Sequence, residues 1–416
     1  MSEKFDSGDL SSRLSSINLE NIEDNKELLC KALQFGSVKE RVKAVHLIGE
    51  LFEPTAKVFG STVIDLSIWH CEDHDCRVRT ASMQALNSWI INHPLSYVWT
   101  PHRIASAYFF SAKMLEDNSS KEIRMNSIAL LCSLARAWPN KTLPKPIDMQ
   151  LHSINLADDA FTRVCEMLQD TDKSVREFAA HIMSDIFQNT SVNNVMLTLD
   201  KTVLSERKVK LLNQKPNNPA LDEISFKIVG CSGALISGLE DDFHEVRKAT
   251  LQTMTKISQH SERFAIRCQD IVVQMLTDDI KDIRLEAIRA LSFIGLHVPL
   301  RAEQIGIVSG VMCEGAGRLR RKLHALLARA WLSSAPCVMN VVDALLRNLR
   351  RYPQDKMSIW QLVYSFFNSS IIHKPSFQCV SVFYLTISNC FLQHEVSRFL
   401  RLFILEYFKF SSTKID

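Results

Sequence analysis

One short pattern recurs along this chain at intervals that constrain the fold more than any other feature. An apolar run ends in an acidic turn. Six or seven residues after the turn's aspartate comes an arginine, preceded by a β-branched residue or leucine. The clearest copies read MLEDNSSKEIRMNS (Met114–Ser127), MLQDTDKSVREFA (Met167–Ala179), GLEDDFHEVRKAT (Gly238–Thr250) and MLTDDIKDIRLEA (Met275–Ala287). A fifth, HCEDHDCRVRTAS (His70–Ser82), keeps the aspartate and the arginine, and looser copies centre on Arg41 and Arg320. Successive arginines (Arg41, Arg79, Arg124, Arg176, Arg247, Arg284, Arg320) are 38, 45, 52, 71, 37 and 36 residues apart. Two-helix repeats of the HEAT and armadillo type recur at about 40–47 residues, so most intervals hold one repeat and the longest holds a repeat plus an insertion.

Within each copy the apolar positions follow a helical period. Val175, Ala179, Ile182, Met183, Ile186 and Phe187 fall at i, i+4, i+7, i+8, i+11 and i+12, and Ile283, Ala287, Ala290, Leu291 and Ile294 repeat the stripe. Asp and Ser in the turns suit helix N-termini, where their side chains accept otherwise orphaned backbone N–H groups. The expected fold is all-α, a HEAT/armadillo-type α-α superhelix of about eight helix pairs in which each repeat packs on its neighbours. Gly and Pro number only 12 each, which leaves little material for β-turn architectures.

The arginine sits early on the second helix of each copy, close to the loop aspartates of its own and adjacent units. Asp73, Asp170, Asp241 and Asp278 with Arg79, Arg124, Arg176, Arg247 and Arg284 are expected to form a ladder of charge-assisted hydrogen bonds tying repeat to repeat. The competing reading, a row of arginines that binds phosphate, is disfavoured because nearby acids balance the row.

Five segments follow from the repeats. Residues 1–25 carry six serines among acids and read as disordered. HEAT repeats are expected over 26–188 and 223–370, separated by a polar, basic insertion loop at 189–222. The segment 371–416 is expected to form a Phe-rich helical tail; residues 358–416 hold nine of the 22 phenylalanines. No run of 18 apolar residues marks a membrane span and the first residues lack the apolar core of a signal peptide, so the reading is a soluble intracellular chain.

Chemistry-bearing motifs are sparse. There is no phosphate-cradling G-x-x-x-x-G-K-[ST], no H-E-x-x-H and no C-x-x-C; Gly315-Ala316-Gly317 lacks the third glycine of a dinucleotide fingerprint. No catalytic or cofactor-binding residue is assigned, and the expectation is a chain that is not an enzyme. The run WHCEDHDC places His70, Cys71, His74 and Cys76 within seven residues. Zinc sites draw ligand pairs from separated elements, and Asp73 and Arg79 already mark this run as a repeat turn, so no metal is expected. The eleven cysteines have no regular spacing and read as free thiols.

Net charge is only +3, yet between Arg318 and Arg351 eight basic residues (Arg318, Arg320, Arg321, Lys322, Arg329, Arg347, Arg350, Arg351) face one acid, Asp343. On stacked helices they could converge into a patch for RNA, a phosphorylated ligand or an acidic partner; the same residues read equally well as solvated helix faces.

The run SGALISGLEDDFHEVRKATLQTMTKISQHSERFAIRCQDIVVQMLTDDIKDIRLEAIRAL (Ser232–Leu291) resembles the HEAT-repeat region of the fourth subunit of the Integrator complex. So do DDAFTRVCEMLQDTDKSVREFAAHIM (Asp158–Met183), DCRVRTASMQAL (Asp75–Leu86) and ALLRNLRRYPQDKMSIW (Ala344–Trp360), and the resemblance extends from about Gly36 to Phe367. The insertion after Asp200 falls where that family has one. The resemblance implies a nuclear, non-catalytic scaffold that holds a pair of metallo-β-lactamase-like subunits, one an endonuclease acting on small nuclear RNA precursors and nascent transcripts. Family members are about twice as long, and the tail after about Pro375 does not resemble their C-terminal half. The alternatives are a transport or adaptor solenoid of the importin or adaptin kind, and a solenoid that binds RNA directly through the basic run.

Overall fold

A computed structural model describes residues 12–17, 24–50, 62–117, 119–143, 154–200 and 231–362. The expectations for 201–222 and 371–416 lie outside these residues. The chain is an all-α solenoid of paired helices, and close packing divides it into two units, up to Thr253 and from Met254.

In the first unit the pairs are α1 (Lys26–Phe35) with α2 (Val38–Glu50), α3 (Thr62–His70) with α4 (Cys76–Asn92), α5 (Pro101–Met114) with α6 (Lys121–Ala137), and α7 (Leu156–Met167) with α8 (Lys173–Ile186). Second helices stack on one another, α2 on α4, α4 on α6 and α6 on α8, while α3 packs against α5. A short helix α9 (Val192–Leu197) and then α10 (Ala234–Leu239) pack against α7, and α11 (His244–His260) follows. In the second unit α12 (Glu262–Gln274) pairs with α13 (Lys281–Ile294) and α14 (Ala302–Glu314) with α15 (Gly317–Leu327). Last comes α16 (Ala335–Arg351), followed by a 3-10 turn (Pro353–Asp355) and a helix over 356–362. Here α12 packs on α14 and α14 on α16 in one layer, with α13 on α15 in the other.

Local chemistry explains where the helices start. Asp75 and Asp172 accept from the backbone N–H two residues on, capping α4 and α8. Thr100 caps α5 with Pro101 at the first helical position, where its missing N–H costs nothing. Repeat aspartates shape the turns themselves: Asp73, Asp117, Asp170, Asp241 and Asp278 each accept, through Oδ1, the backbone N–H two residues ahead at 2.7–2.9 Å. The stripes then bury as the helical period requires. Val175, Ala179, Met183 and Ile186 are buried, as are Ile283, Ala287, Ala290, Leu291 and Ile294. Trp89, Tyr108 and Phe161 fill the core of the first unit and Phe264 that of the second. Each such side chain contributes roughly 1.5–3 kcal/mol of burial.

Two expectations about irregular segments are corrected. Residues 12–17 are not a featureless lead-in: 12–15 form a helical turn in which Leu14 is fully buried and Ile17 nearly so. Two apolar residues three positions apart among serines are enough to anchor one turn. The insertion also begins later than 189. A 3-10 turn (Phe187–Asn189) and α9 occupy that stretch, with Val195, Met196 and Leu199 buried and Asp158 accepting from the Ser191 N–H at 2.7 Å. Between α6 and α7, Thr142–Leu143 pairs antiparallel with Ile154–Asn155.

Candidate functional site

The repeat arginines and aspartates meet in a regular way. Each arginine sends Nη1 back to the backbone carbonyl of its own turn, at Asp73 for Arg79 (2.8 Å), Asp117 for Arg124 (2.9 Å), Asp170 for Arg176 (2.8 Å), Asp241 for Arg247 (2.9 Å) and Asp278 for Arg284 (3.1 Å). In Arg41, Arg79, Arg124 and Arg176 the other edge of the guanidinium reaches forward to the next repeat's carboxylate. Arg41 donates Nη2 to Asp73 (3.1 Å) and Arg79 to Asp117 (2.9 Å). Arg124 grips Asp170 through Nε (2.7 Å) and Nη2 (2.9 Å), and Arg176 grips Asp241 likewise (2.6 and 3.1 Å). Such two-point pairing is the strong form of the charge-assisted hydrogen bond.

One aspartate therefore does three things: it closes its own turn through Oδ1, offers its carbonyl to its own arginine, and receives the preceding repeat's arginine. The pairs are sheltered, with side chains 9% and 6% exposed for Arg124 and Asp170 and 14% and 9% for Arg176 and Asp241. Asp117 has the same arrangement although the sequence reading did not single it out; its Met-Leu-Glu-Asp context was the available signal. Burial pushes the Asp117 carboxyl up, but hydrogen bonds from Ser119 and the charge of Arg79 leave it below the usual carboxylate range. At the outer copies a glycine replaces the aspartate as the turn residue whose carbonyl accepts: Gly36 O accepts from Arg41 (2.8 Å) and Gly315 O from Arg320 (2.7 Å).

Arg320, counted in the basic run by sequence, belongs to this ladder. It is 4% exposed, pairs with Asp355 through Nε and Nη2, and lies 3.6 Å over the Tyr352 ring. Asn348 Nδ2 donates to the same Asp355 at 3.3 Å, and His324 Nδ1 lies 2.9 Å from Ser358 Oγ. Burial is the main cause that holds the His324 ring down to about 4, so it is neutral near pH 7. A buried polar network thus replaces the simple rung at this end.

The rest of the basic run separates into two stripes on different layers. Arg318, Arg321 and Lys322 are exposed on α15 at i, i+3 and i+4, with Arg329 exposed just beyond, and α15 contains no acid. Arg347, Arg350 and Arg351 are exposed on α16, on the same helix as exposed Asp343. The Arg351 guanidinium lies 5.6 Å from the Tyr352 ring that also stacks on Arg320.

The His/Cys run is spoken for by backbone. His70 is buried with Nδ1 2.7 Å from Leu66 O and Nε2 3.1 Å from Leu33 O, which ties α3 to α1. Cys71 donates to Ser67 O, and burial pushes its thiol up to about 12. Among the described residues no group of three His, Cys, Asp or Glu side chains is placed to hold a metal ion, and no helix is long and apolar enough to cross a membrane.

Stacked helix pairs pinned by an arginine–aspartate ladder define a HEAT-type helical-repeat solenoid. No family model matches the sequence. Individual proteins do. Integrator complex subunit 4 of Mus musculus is 28% identical over 364 residues, which covers 80% of this chain and 37% of that protein. Its Drosophila melanogaster counterpart is 33% identical over 263 residues (57% and 25%), and the Dictyostelium discoideum homolog 26% over 379 (77% and 30%). The chain is thus similar to Integrator complex subunit 4 and spans little more than a third of the length of the vertebrate proteins it matches. Among solved structures, importin beta superposes with a TM-score of 0.49 at 12% identity, covering 86% of this chain and 49% of that one. A designed armadillo repeat protein for peptide recognition gives 0.36 at 13% (64% and 98%).

Proposed function

We infer that this chain is a non-catalytic scaffold subunit of a nuclear, Integrator-type RNA-processing complex, on which an endonuclease module built from a metallo-β-lactamase-like pair is organised. The observation that carries this reading is the ladder. It holds adjacent repeats in register through sheltered two-point ion pairs, which is what a surface needs if it is to hold partners in fixed relation at low ordering cost. Similarity to Integrator complex subunit 4 supports the kind of complex. The acid-free stripe Arg318, Arg321, Lys322 is the part of that surface best suited to meet an acidic partner protein.

Affinity capture with the full chain from nuclear extract is expected to recover metallo-β-lactamase-like subunits. Recovery of other Integrator-type subunits without them would refute the nuclease-module role, and recovery of transport cargo alone would favour the importin-like alternative. The RNA reading has its own test. Binding of single-stranded RNA that weakens steeply with salt and is lost in Arg318→Glu/Arg321→Glu would move the stripe from protein to RNA.

A further inference from the structure

The rung that joins α4 to the turn before α6 is built differently from the two that follow it. Arg124 and Arg176 each place both Nε and Nη2 on the next repeat's carboxylate. Arg79 reaches forward through Nη2 alone, divided between Asp117 Oδ2 (2.9 Å) and Ser119 Oγ (3.0 Å). Among the described residues its buried Nε has no acceptor. Ser119 is exposed, and its Oγ donates in turn to Asp117 Oδ1. The preceding and following repeats carry a carboxylate at this place. Two residues past their repeat aspartates stand Asp75 and Asp172, whose side chains cap α4 and α8. Here the residue is a serine, and α6 starts after Ser120 with no side-chain cap. Ser120 Oγ is turned instead to Glu122 at 2.6 Å.

We propose that Ser119 is a phosphorylation site and that Arg79 holds its phosphate, giving this rung a second anion beside Asp117. The serine hydroxyl takes one modest bond from the guanidinium. A phosphate brings three strong acceptor oxygens and close to two negative charges near neutral pH. Those oxygens extend from Oγ, which already meets Nη2, on the guanidinium edge where Nε is unfilled. Asp117 competes for the same arginine and loses the Ser119 hydroxyl as a donor. It keeps the Ser119 N–H on Oδ1 (2.7 Å) and Nη2 on Oδ2, so the two anions share the guanidinium. Repulsion between them offsets part of the gain. The consequence is therefore a joint that no longer depends on Asp117 rather than one that is merely stiffer. Glu122 lies three residues after Ser119, the mark that an acid-directed serine kinase reads, whereas Ser120 has Ile123 at that place. In the transfer the bond from Ser119 Oγ to the γ-phosphorus of ATP forms as the bond to the β–γ bridging oxygen breaks. ADP leaves, and the hydroxyl proton passes to the kinase's carboxylate base. With the hydroxyl engaged on both sides in the closed turn, the kinase acts when the turn opens locally.

The test uses the full chain with and without Asp117→Asn, an acid-directed serine kinase and ATP. Phosphate is located by peptide mass spectrometry, and hydrogen exchange is followed at the slow amides of α4, with those of α13 as a control of folding. The expected result is incorporation at Ser119, which Ser119→Ala abolishes. Without phosphate, Asp117→Asn should speed α4 exchange by at least about tenfold, the loss of one sheltered pair. With Ser119 phosphorylated, the same substitution should change it by less than about threefold. If Asp117→Asn loosens α13 as well, thermal melts carry the comparison: a melt recovered on phosphorylation supports the proposal and an unrecovered one overturns it. No incorporation at Ser119, phosphate on Ser120 alone, an Asp117→Asn effect as large after phosphorylation as before, or no effect of it in either form would each overturn the proposal.

Discussion

Replacing Arg176 by alanine tests whether the ladder holds the repeats together. Three things are lost. The first is the two-point pair to Asp241 at 2.6 and 3.1 Å; the second is the Nη1 bonds to Asp170 O (2.8 Å) and Thr171 O (3.2 Å); the third is the guanidinium 5.6 Å from the Phe243 ring. Removing one partner of a buried pair costs about 3–5 kcal/mol, whereas an exposed pair is worth about 0–1. Arg176 and Asp241 are 14% and 9% exposed, near the buried limit, and Asp241 keeps the Phe243 N–H at 2.9 Å. The expected loss is therefore about 3 kcal/mol, at the lower edge of the buried range. Arg103 supplies the control. It grips Asp65 at 2.8 Å with both nitrogens, geometry as good as that of Arg176, but Asp65 is 52% exposed. Arg103→Ala should cost under about 1 kcal/mol. Native-state hydrogen exchange of the α8 amides reads the difference directly. Arg176→Ala should speed the slow amides by about 150-fold if opening is rapid and reversible, and Arg103→Ala should speed its own neighbourhood less than about fivefold. A double-mutant cycle with Asp241→Asn should return a coupling of about 1–3 kcal/mol. A loss below about 1 kcal/mol for Arg176→Ala, or equal losses at the two arginines, would refute burial as what makes the rungs matter.

Acid should weaken the array from two directions. Asp117, held below the usual carboxylate range, and Asp75, held at about 2 chiefly by the Arg77 hydrogen bond, contribute stability above about pH 3.9 that is lost as pH falls through their folded values. His324, at about 4 in the fold, adds a loss in the second unit between about pH 6.5 and 4, because the unfolded chain takes up the proton first; Arg320-to-Asp355 peptides should show it in exchange measured across that range. Charge reversal at Arg318, Arg321 and Lys322 together should cut capture of the partner at least tenfold, with the thermal melt within about 1 °C, and an unchanged capture would remove the stripe from the binding surface. Cys71 and Cys268, whose thiols burial drives up to about 12, should resist alkylation in the native chain while half-exposed Cys76 and Cys313 react, as peptide mass spectrometry would read.

The repeat frame is legible because local geometry forces it. A turn that ends in an Asx bond, followed six residues later by an arginine on the first helical turn, is written within a dozen residues, as in Asp170–Arg176. The direction of the rung is not. Arg176 has Asp170 six residues behind it and Asp241 65 residues ahead, and only packing decides that the near aspartate gives its carbonyl and the far one its carboxylate. Asp355 escaped for the same reason: it lies 35 residues past Arg320 in a turn that breaks the aspartate spacing. Leu14 and Ile17 escaped because two apolar residues among serines carry no period, yet two are enough to anchor one turn. The basic run misled in the opposite sense. Arg318 and Arg347 are neighbours along a charge profile, but a repeat boundary between them puts α15 and α16 in different layers.

That division of labour bears on where recognition takes place. A guanidinium has five N–H donors, and in Arg176 at least four are committed, two from Nη1 to carbonyls and one each from Nε and Nη2 to Asp241. An incoming phosphate or carboxylate would have to displace Asp241 and leave that side chain, 9% exposed, without its counter-charge. The displacement costs about what the rung contributes, some 3 kcal/mol, which a single replacement ion pair of equal chemistry cannot return. Ladder arginines are thus closed to ligands by the same bonds that hold the repeats. Arg318, Arg321 and Lys322 pay no such cost: they are exposed, no acid shares their helix, and their charge is available to whatever approaches the second layer. Specificity in an array of near-identical rungs must come from positions where the repeats differ, and α15 is where the difference in charge is greatest.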